Sequence, residues 1–369
     1  MLTEKIITTR EVFPSIDMPL HGRSGVQWTN PLEHSDWDLQ IAEQNHPAHS
    51  FFHGAAWANV LAETYGYKPL YLVSHEAGAL RSVLPFMEVQ SALTGKRAVA
   101  LPFTDTCDPL CADRTGFKEL FRNALELARA RGWKYMEFHG GQKLLNGTPP
   151  SHSFYGHTVN LSSDENEFFG QLKSPVRRAI RKAEKSGVRV EISAEAEAVR
   201  NFYGMHCKAR KKHGLPPQPY SFFRSIHKHI LAKDRGVVAL AWWKKTPVAG
   251  AVFFHAGSDA IYKFGASDDA HQHLRGNNLV FWEAIRWFSQ RGVKKLDLGR
   301  TSAHNEGLRR FKLGWNAEEK SVGYFRFSVP QEAFVSTKDQ TSGWHTYAFN
   351  VLPLFASRMI GKILYRHWA

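Results

Sequence analysis

Two stretches that begin 160 residues apart carry the same pattern. Residues 131–138 read Arg-Gly-Trp-Lys-Tyr-Met-Glu-Phe, and residues 291–298 read Arg-Gly-Val-Lys-Lys-Leu-Asp-Leu. The shared pattern, Arg-Gly-x-Lys-x-apolar-acid-apolar, is typical of a helix that stops at glycine and is followed by a strand. A repeat at this spacing indicates two duplicated domains, because solenoid repeats are several times shorter.

The segments before these two junctions repeat in the same order. Each half contains a predicted hairpin, a third strand, a helix with apolar residues at three-and-four spacing, and the junction strand. The segments are 70–73, 83–86, 98–101, 117–128 and 133–138 in the first half, and 237–242, 248–254, 261–264, 279–288 and 293–298 in the second. The sequence therefore predicts an α/β protein with mixed sheets (α+β) in two similar domains.

Length and charge are consistent with that organisation. A chain of 369 residues is long enough for two domains, and 43% hydrophobic with 13% aromatic residues indicates a globular protein. A net charge of +14 favours polyanionic partners, which include nucleotide diphosphates, coenzyme A, tRNA, anionic sugars and acidic lipid surfaces. A basic surface without a charged ligand is the alternative.

Several classes of protein are disfavoured. Three cysteines are too few for a disulfide framework, and Cys107 and Cys111 have no second Cys or His pair at zinc-ligand spacing, so we expect no metal. The first ten residues lack the apolar core of a signal peptide, and no run of about 18 apolar residues occurs. We therefore expect a cytoplasmic protein.

A basic helix is predicted after Pro175, a residue suited to a first helical turn. Arg178, Arg181 and Lys182 lie at three-and-four spacing, and Arg177 adds to the same run. Such a face suits the pyrophosphate of a nucleotide- or lipid-linked precursor, although most charge runs are simply solvated. Two further cations, Arg210 and Lys211, either extend this anion site or complement the end of another helix.

Four segments resemble the FemAB family of the GNAT (GCN5-related N-acetyltransferase) superfamily, in particular its members associated with polysaccharide systems. The segments are 174–185, 210–216, 262–267 and 296–315. The resemblance implies two tandem GNAT-like domains with a cleft between them. We expect a leader at 1–25, domains at 26–160 and 161–335 joined by a linker within 140–164, and an amphipathic helix at 343–369.

The resemblance also implies roles for particular residues. Lys312 would neutralise the developing oxyanion or the donor's phosphate while Phe311 packs against the donor; a surface lysine beside a core phenylalanine is the alternative. Asp113 is the closest match to the family's site aspartate and would accept a proton from the amine or orient it, and Asp108 stands where the family has glycine. Turn capping is the alternative, and it is the commoner role of an aspartate before proline, as Asp108 is.

Three more residues follow the last predicted strand, where residues of a cleft tend to lie. Asp297 and Arg300 would contact substrate or form a structural ion pair. Asn305, in the loop close behind, would contact substrate or serve only the loop.

The sequence does not identify the acyl donor. Acetyl-CoA sites in the superfamily carry Arg/Gln-x-x-Gly-x-Gly/Ala, but residues 273–278 keep only Gly276 of the two small residues, which disfavours ordinary acetyl-CoA use. The long heptad insertion with which some Fem enzymes grip tRNA is also missing. We expect no tightly bound cofactor, and either acyl-CoA or aminoacyl-tRNA as donor.

The end of the chain has helical periodicity with two different faces. Phe355, Met359 and Ile363 recur at apolar positions, and Arg358 and Lys362 lie on another face. The helix would lie in an acidic membrane interface or pack on the protein itself.

The sequence as a whole predicts an acyl- or aminoacyltransferase that forms an amide on a nucleotide- or lipid-linked saccharide precursor of the cell wall or an exopolysaccharide. The alternatives are an acyl-CoA-dependent N-acyltransferase on a small amine and a non-catalytic binding module.

Overall fold

The structure is a computed structural model that describes residues 7–8, 25–336 and 352–369. The strands are β1 Ile7–Thr8, β2 Val26–Thr29, β3 Lys68–Glu76, β4 Ala79–Ser91, β5 Gly95–Val99, β6 Tyr135–His139, β7 His152–Asn160, β8 Val188–Ser193, β9 Gly236–Trp243, β10 Thr246–Ala256, β11 Asp259–Ser267, β12 Lys295–Ser302, β13 Glu318–Ser328 and β14 Ala333–Val335. The helices are α1 Trp37–Glu43, α2 Ala55–Tyr65, α3 Arg114–Arg131, α4 Glu165–Gln171, α5 Ser174–Lys185, α6 Ala196–Lys212, α7 Tyr220–His229, α8 Gly276–Ser289, α9 Glu306–Leu313 and α10 Leu354–Leu364.

The described residues group into two compact units. The first comprises 7–8, 25–154, 321–336 and 366–369, and the second comprises 155–320 and 352–365. The domain boundaries expected from the sequence remain a prediction. Most of the predicted leader and the first part of the predicted C-terminal helix lie outside the described residues. No helix in the described part of the chain combines the length and apolar character needed to cross a bilayer.

The first unit is a mixed sheet covered by α3. Strands β2 to β5 are antiparallel neighbours, β6 joins β5 in parallel, and β13 pairs antiparallel with β6. The buried face of α3 carries Phe117 and Phe121, which pack against Phe138 of β6. The helix ends at Gly132, whose φ of 67° is the left-handed conformation that glycine adopts readily. The predicted helix and its glycine stop are confirmed.

The second unit repeats this arrangement. Strands β8 to β11 are antiparallel neighbours, and β12 joins β11 in parallel. Helix α8 packs Phe281 and Phe288 on Phe253 of β10. The order antiparallel, antiparallel, antiparallel, parallel is therefore the same from β2 to β6 and from β8 to β12, which confirms the predicted α/β fold with mixed sheets.

Part of the segment predicted as a linker is regular secondary structure. Residues 140–164 have a linker-like composition, yet residues 152–160 form strand β7. Ladder hydrogen bonds depend on the neighbouring backbone, so they override a weak local preference.

A buried charged cluster stabilises the first unit. Glu137 of β6 accepts hydrogen bonds from His139 (Nε2 to Oε1, 3.0 Å) and from Arg326 of β13 (Nε to Oε2, 2.9 Å). Burial opposes the charge on Glu137, but the bonds and charges of His139 and Arg326 outweigh it and lower its pKa to about 2. Because the folded pKa lies below the ordinary value of 4.5, this stabilisation is present above about pH 4.5 and disappears as the pH falls toward 2.

We expect Glu137→Gln to lower the free energy of unfolding at neutral pH by about 3 kcal/mol, because Arg326 loses its buried anionic partner. The difference from the unchanged protein should shrink as the pH falls through the window from 4.5 toward about 2. Chemical denaturation at several pH values measures both effects. Glu76→Gln, at an exposed ion pair with Arg81, is the control and should change stability by less than about 1 kcal/mol. A pH-independent difference for Glu137→Gln would contradict this account.

Candidate functional site

A pocket of about 580 Å³ lies in the second unit, where α5, α8 and α9 meet. Residues from the first turns of α5 and α8 line it, so the positive ends of two helix dipoles come together, whereas α9 lines it from Gly307 to Gly314, at both of its ends. Five cationic side chains also line it, and none of the described residues that line it is acidic. These five are Lys173, Arg178, Lys182, Arg275 and Arg310. The pocket is therefore suited to a polyanion.

Glycine at position 314 allows α5 and α9 to approach closely. A Cβ atom at Gly314 would lie 2.7 Å from Cγ2 of Val176 and 3.0 Å from the carbonyl oxygen of Phe311, closer than real Cβ contacts. The backbone N–H of Lys173 donates to the carbonyl oxygen of Gly314 at 3.1 Å. The start of the basic helix is thus fixed against the end of the helix that carries Phe311 and Lys312.

The third wall is the start of α8. Arg275 precedes it with φ of 61°, and a Cβ at Gly276 would lie 3.1 Å from Cβ of Ala249, so the helix begins tightly against β10. Gly276 is the one small residue that survives from the acetyl-CoA pattern. Asn278, which stands where the pattern has its second small residue, lines the pocket.

Phe311 lines the same pocket and packs against Phe281 and Trp315, with ring centroids 5.2 and 6.1 Å away. These contacts fix an aromatic wall beside the cationic residues. Its contact with a donor stays a prediction.

Lys312 is buried, with 2% of its surface exposed. Its ammonium donates to the carbonyl oxygens of Gly299 (2.9 Å) and Arg300 (3.0 Å) at the end of β12. The alternative of a surface lysine is therefore wrong, since this is a charged group held by backbone oxygens in the interior. Its part in catalysis stays a prediction.

Sequence reasoning missed a polar group beside Lys312. His157 of β7 is fully buried and bonds through Nε2 to Oε2 of Glu319 (3.0 Å), which also pairs with Arg309 at 2.7 Å through both carboxylate oxygens. Burial, followed by the positive charge of Lys312, lowers the pKa of His157. His157 lies in the segment interpreted as a linker, so no pattern in the sequence singled it out.

We expect Lys312→Met to raise the pKa of His157 toward its ordinary value, because the substitution removes a nearby positive charge. NMR titration of the histidine ring signals measures this shift. His255 is the internal control, since its pKa is lowered by other causes, first burial and then the charges of Arg235 and Arg291, against the opposing charge of Asp234. An unmoved His157 would show that Lys312 does not act on it.

Only part of the predicted basic face enters the pocket. Arg178 and Lys182 line it, whereas Arg181 lies over the ring of Phe169 at 5.4 Å and Arg177 is half-buried outside the lining. A helix of 3.6 residues per turn spreads this run of cations around its circumference, so one pocket receives only some of them.

The other predicted binding residues have local structural bonds. Arg210 donates to the hydroxyl of Tyr365 (2.7 Å), and Lys211 lines a separate cavity. Asp297 accepts from the N–H of Gly299 at 2.7 Å, and Asn305 caps α9 through the N–H of Leu308 at 3.1 Å. The carbonyl oxygen of Arg300 accepts from Lys312. Roles of these residues in binding remain predictions.

The two aspartates lie in the first unit, and each accepts a backbone hydrogen bond. Asp113 caps α3 by accepting from the N–H of Gly116 at 2.8 Å, which is the capping role that the sequence offered as the alternative. Asp108 accepts from the N–H of Gly141 at 2.6 Å, which joins two segments distant in the chain and is not a turn cap. A catalytic role for either is untested.

Among residues 25–336 and 352–369, no cluster of three or more potential metal ligands occurs.

Known proteins resemble this chain in sequence over one segment and in fold over most of its length. Residues 171–320 match the family model described as the acetyltransferase (GNAT) domain. A crystal structure of FemX superposes with a TM-score of 0.64 at 14% identity, covering 85% of this chain and 98% of that one. A tandem GNAT protein from the clavulanic acid biosynthesis pathway superposes with a TM-score of 0.52 at 10% identity, covering 82% of this chain and 98% of that one. L-PGS from Bacillus licheniformis superposes with a TM-score of 0.50 at 11% identity, covering 90% of this chain and 96% of that one. No curated protein sequence matches the chain.

The matched segment contains the whole lining of the pocket, together with Lys312, and it lies within the second unit. The two-unit fold is that of tandem GNAT proteins. The match over residues 171–320 confirms the predicted class of enzyme, an acyltransferase.

Proposed function

We propose that this acyltransferase forms an amide bond on a substrate that is held through its phosphate groups. One observation carries the proposal. Five cationic side chains and the first turns of two helices line a single pocket in the GNAT domain, without a lining carboxylate among the described residues. Guanidinium and ammonium groups beside helix N-termini bind phosphate oxygens through charge-assisted hydrogen bonds.

The leading candidate for this substrate is the pyrophosphate of a nucleotide- or lipid-linked saccharide acceptor. Arg178 and Lys182 would hold its phosphates from α5, and Arg310 would do so from α9. The donor would then be either an acyl thioester, as in acyl-CoA, or an aminoacyl ester, as in aminoacyl-tRNA. Aminoacyl-tRNA is the Fem-like option, and the reaction would take place in the cytoplasm. The fold shared with FemX supports this setting through the FemAB resemblance of segments 174–185 and 296–315.

A second candidate is an acyl-CoA donor in the same pocket. Arg275, Gly276 and Asn278 at the start of α8 occupy the position of the acetyl-CoA pattern, and Arg275 and Asn278 line the pocket. The pyrophosphate of coenzyme A has the same chemistry as that of a nucleotide sugar. The two candidates therefore differ in the ligand, not in the cationic residues that bind it.

Lys312 would act electrostatically in either case. Acyl transfer to an amine passes through a tetrahedral intermediate whose oxygen carries negative charge. The two carbonyl oxygens at the end of β12 hold the ammonium in place before the reaction, so little reorganisation is needed when that charge develops. Asp113, exposed at the start of α3, would orient the amine. Asp108 is the weaker candidate because its side chain is half-buried, while each of the two carboxylates accepts one backbone N–H.

We expect the double variant Lys182→Ala, Arg275→Ala to bind its pyrophosphate ligand at least about tenfold more weakly, because two charge-assisted contacts are lost. That ligand is whichever of the three probes below the unchanged protein binds most tightly. Isothermal titration with UDP-N-acetylglucosamine, coenzyme A and inorganic pyrophosphate measures the affinity and separates the two candidates. Affinity should also fall as sodium chloride rises from about 0.05 to about 0.3 M, since salt screens exposed charges.

The matched control is Lys185→Ala, Arg189→Ala, which removes the same net charge from exposed positions outside the pocket lining. This control should keep its affinity within about twofold. Equal losses in both double variants, or no binding of any of the three probes, would contradict the proposed phosphate pocket.

For catalysis, we expect Lys312→Met to lower the rate of amide formation about 10²- to 10³-fold, as loss of one oxyanion-stabilising group does in other enzymes. Mass spectrometry of ligands that co-purify with the protein supplies the substrate, and the same method then follows the product. Lys320→Met, at an exposed lysine of β13, should react at the unchanged rate. Full activity of Lys312→Met would remove Lys312 from the mechanism.

A further inference from the structure

Helix α10 presents its large apolar side chains to solvent. Phe355, Met359 and Ile363 are 68%, 63% and 60% exposed, and their four-residue spacing places them on one face. Exposed large hydrophobic residues are few in the described part of the chain. Besides these three they are Trp368, just after the helix, and Leu39 and Leu93 in the first unit. We refer to Phe355, Met359 and Ile363 as the apolar strip.

The opposite face of α10 fixes this orientation. Ser357, Gly361 and Tyr365 are buried against the second unit. A Cβ at Gly361 would lie 2.1 Å from the carbonyl oxygen of Pro217, and the hydroxyl of Tyr365 donates to the carbonyl oxygen of Pro216 at 3.2 Å. The helix is therefore docked through its small and polar residues, and it cannot roll to bury the apolar strip without losing these contacts.

Cationic residues flank the apolar strip. The sequence predicts Lys362 on another face, but Lys362 is exposed and, two helical turns after Phe355, it borders the apolar strip. Arg358 is held over the ring of Tyr203 at 4.9 Å. At the start of the helix, Leu354 shares a cavity of about 470 Å³ with three lysines at the end of α6, which are Lys208, Lys211 and Lys212. Lys212 also pairs with Asp269 at 2.8 Å. Residues 340–369 contain three Lys or Arg and no Asp or Glu.

We propose that the apolar strip and its flanking cations dock the protein onto a bilayer surface that carries anionic phospholipid. An apolar face bordered by cations fits the boundary between headgroups and acyl chains, where apolar area is buried while the cations face lipid phosphates. Eleven residues of helix are about 16 Å long, too short to span the bilayer core, so the helix lies along the surface.

Charge favours this occupant over a second copy of the chain. A symmetric dimer through the apolar strip would bring the flanking cations of one copy toward those of the other, which is repulsive. An anionic surface instead neutralises them. The docking surface does not depend on which donor or acceptor the GNAT domain uses.

The test is co-sedimentation of the full-length protein with vesicles of phosphatidylcholine, with and without phosphatidylglycerol. We expect binding to the anionic vesicles, several-fold weaker binding to neutral ones, and weakening as salt rises. The double variant Phe355→Ser, Ile363→Ser should lose roughly tenfold or more in vesicle affinity, since two large side chains no longer enter the lipid. Lys362→Glu should bind anionic vesicles several-fold more weakly and neutral vesicles no more weakly.

The matched control is Leu39→Ser, Leu93→Ser, which removes two equally exposed apolar side chains from the first unit and should bind vesicles as the unchanged protein does. Circular dichroism and thermal unfolding show that each variant is folded. Three results would overturn the proposal. They are the absence of binding to anionic vesicles, equal loss in control and strip variants, and self-association that the strip variant abolishes while vesicle binding is unaffected.

Discussion

The close contact between Gly314 and Val176 is the constraint on which the candidate site depends. Helices α5 and α9 belong to different parts of the GNAT segment, and a side chain at position 314 would push them apart. With glycine there, the cations of α5 and the aromatic ring of Phe311 line one pocket. The site is therefore a consequence of backbone approach, and its chemistry is supplied by side chains that the approach brings together.

Positive charge is used in two different ways in this unit. The cations that line the pocket lie at an open surface, where water limits their mutual repulsion, and they are available to a polyanion. The ammonium of Lys312 is instead buried and bonded to two backbone carbonyl oxygens. Burial of the His157 ring, followed by the positive charge of Lys312, lowers the pKa of His157. The cations of the pocket lining are suited to binding a polyanion. Lys312 is suited to supplying a fixed electrostatic field at a reacting centre.

Helix α10 illustrates how packing can invert the usual reading of an amphipathic pattern. Apolar residues at helical spacing usually face the core. Here the docked face is made of Ser357, Gly361 and Tyr365, because the carbonyl oxygen of Pro217 leaves no room for a larger residue at 361. The sequence left membrane contact and self-docking open as alternatives, and the structure shows that the helix docks while its apolar strip stays exposed.

The sequence by itself determined the repeated order of strands and helices, including the helix stop at Gly132, because periodicity and glycine conformation are local properties. It also placed Phe311 and Lys312 in one segment through the family resemblance. Only the tertiary structure decided that Arg275 and Arg310 share a pocket with Lys182, that Lys312 is buried, and that His157 lies in a strand near it. These outcomes depend on contacts between residues far apart in the chain, and such contacts leave no periodic signal in the sequence.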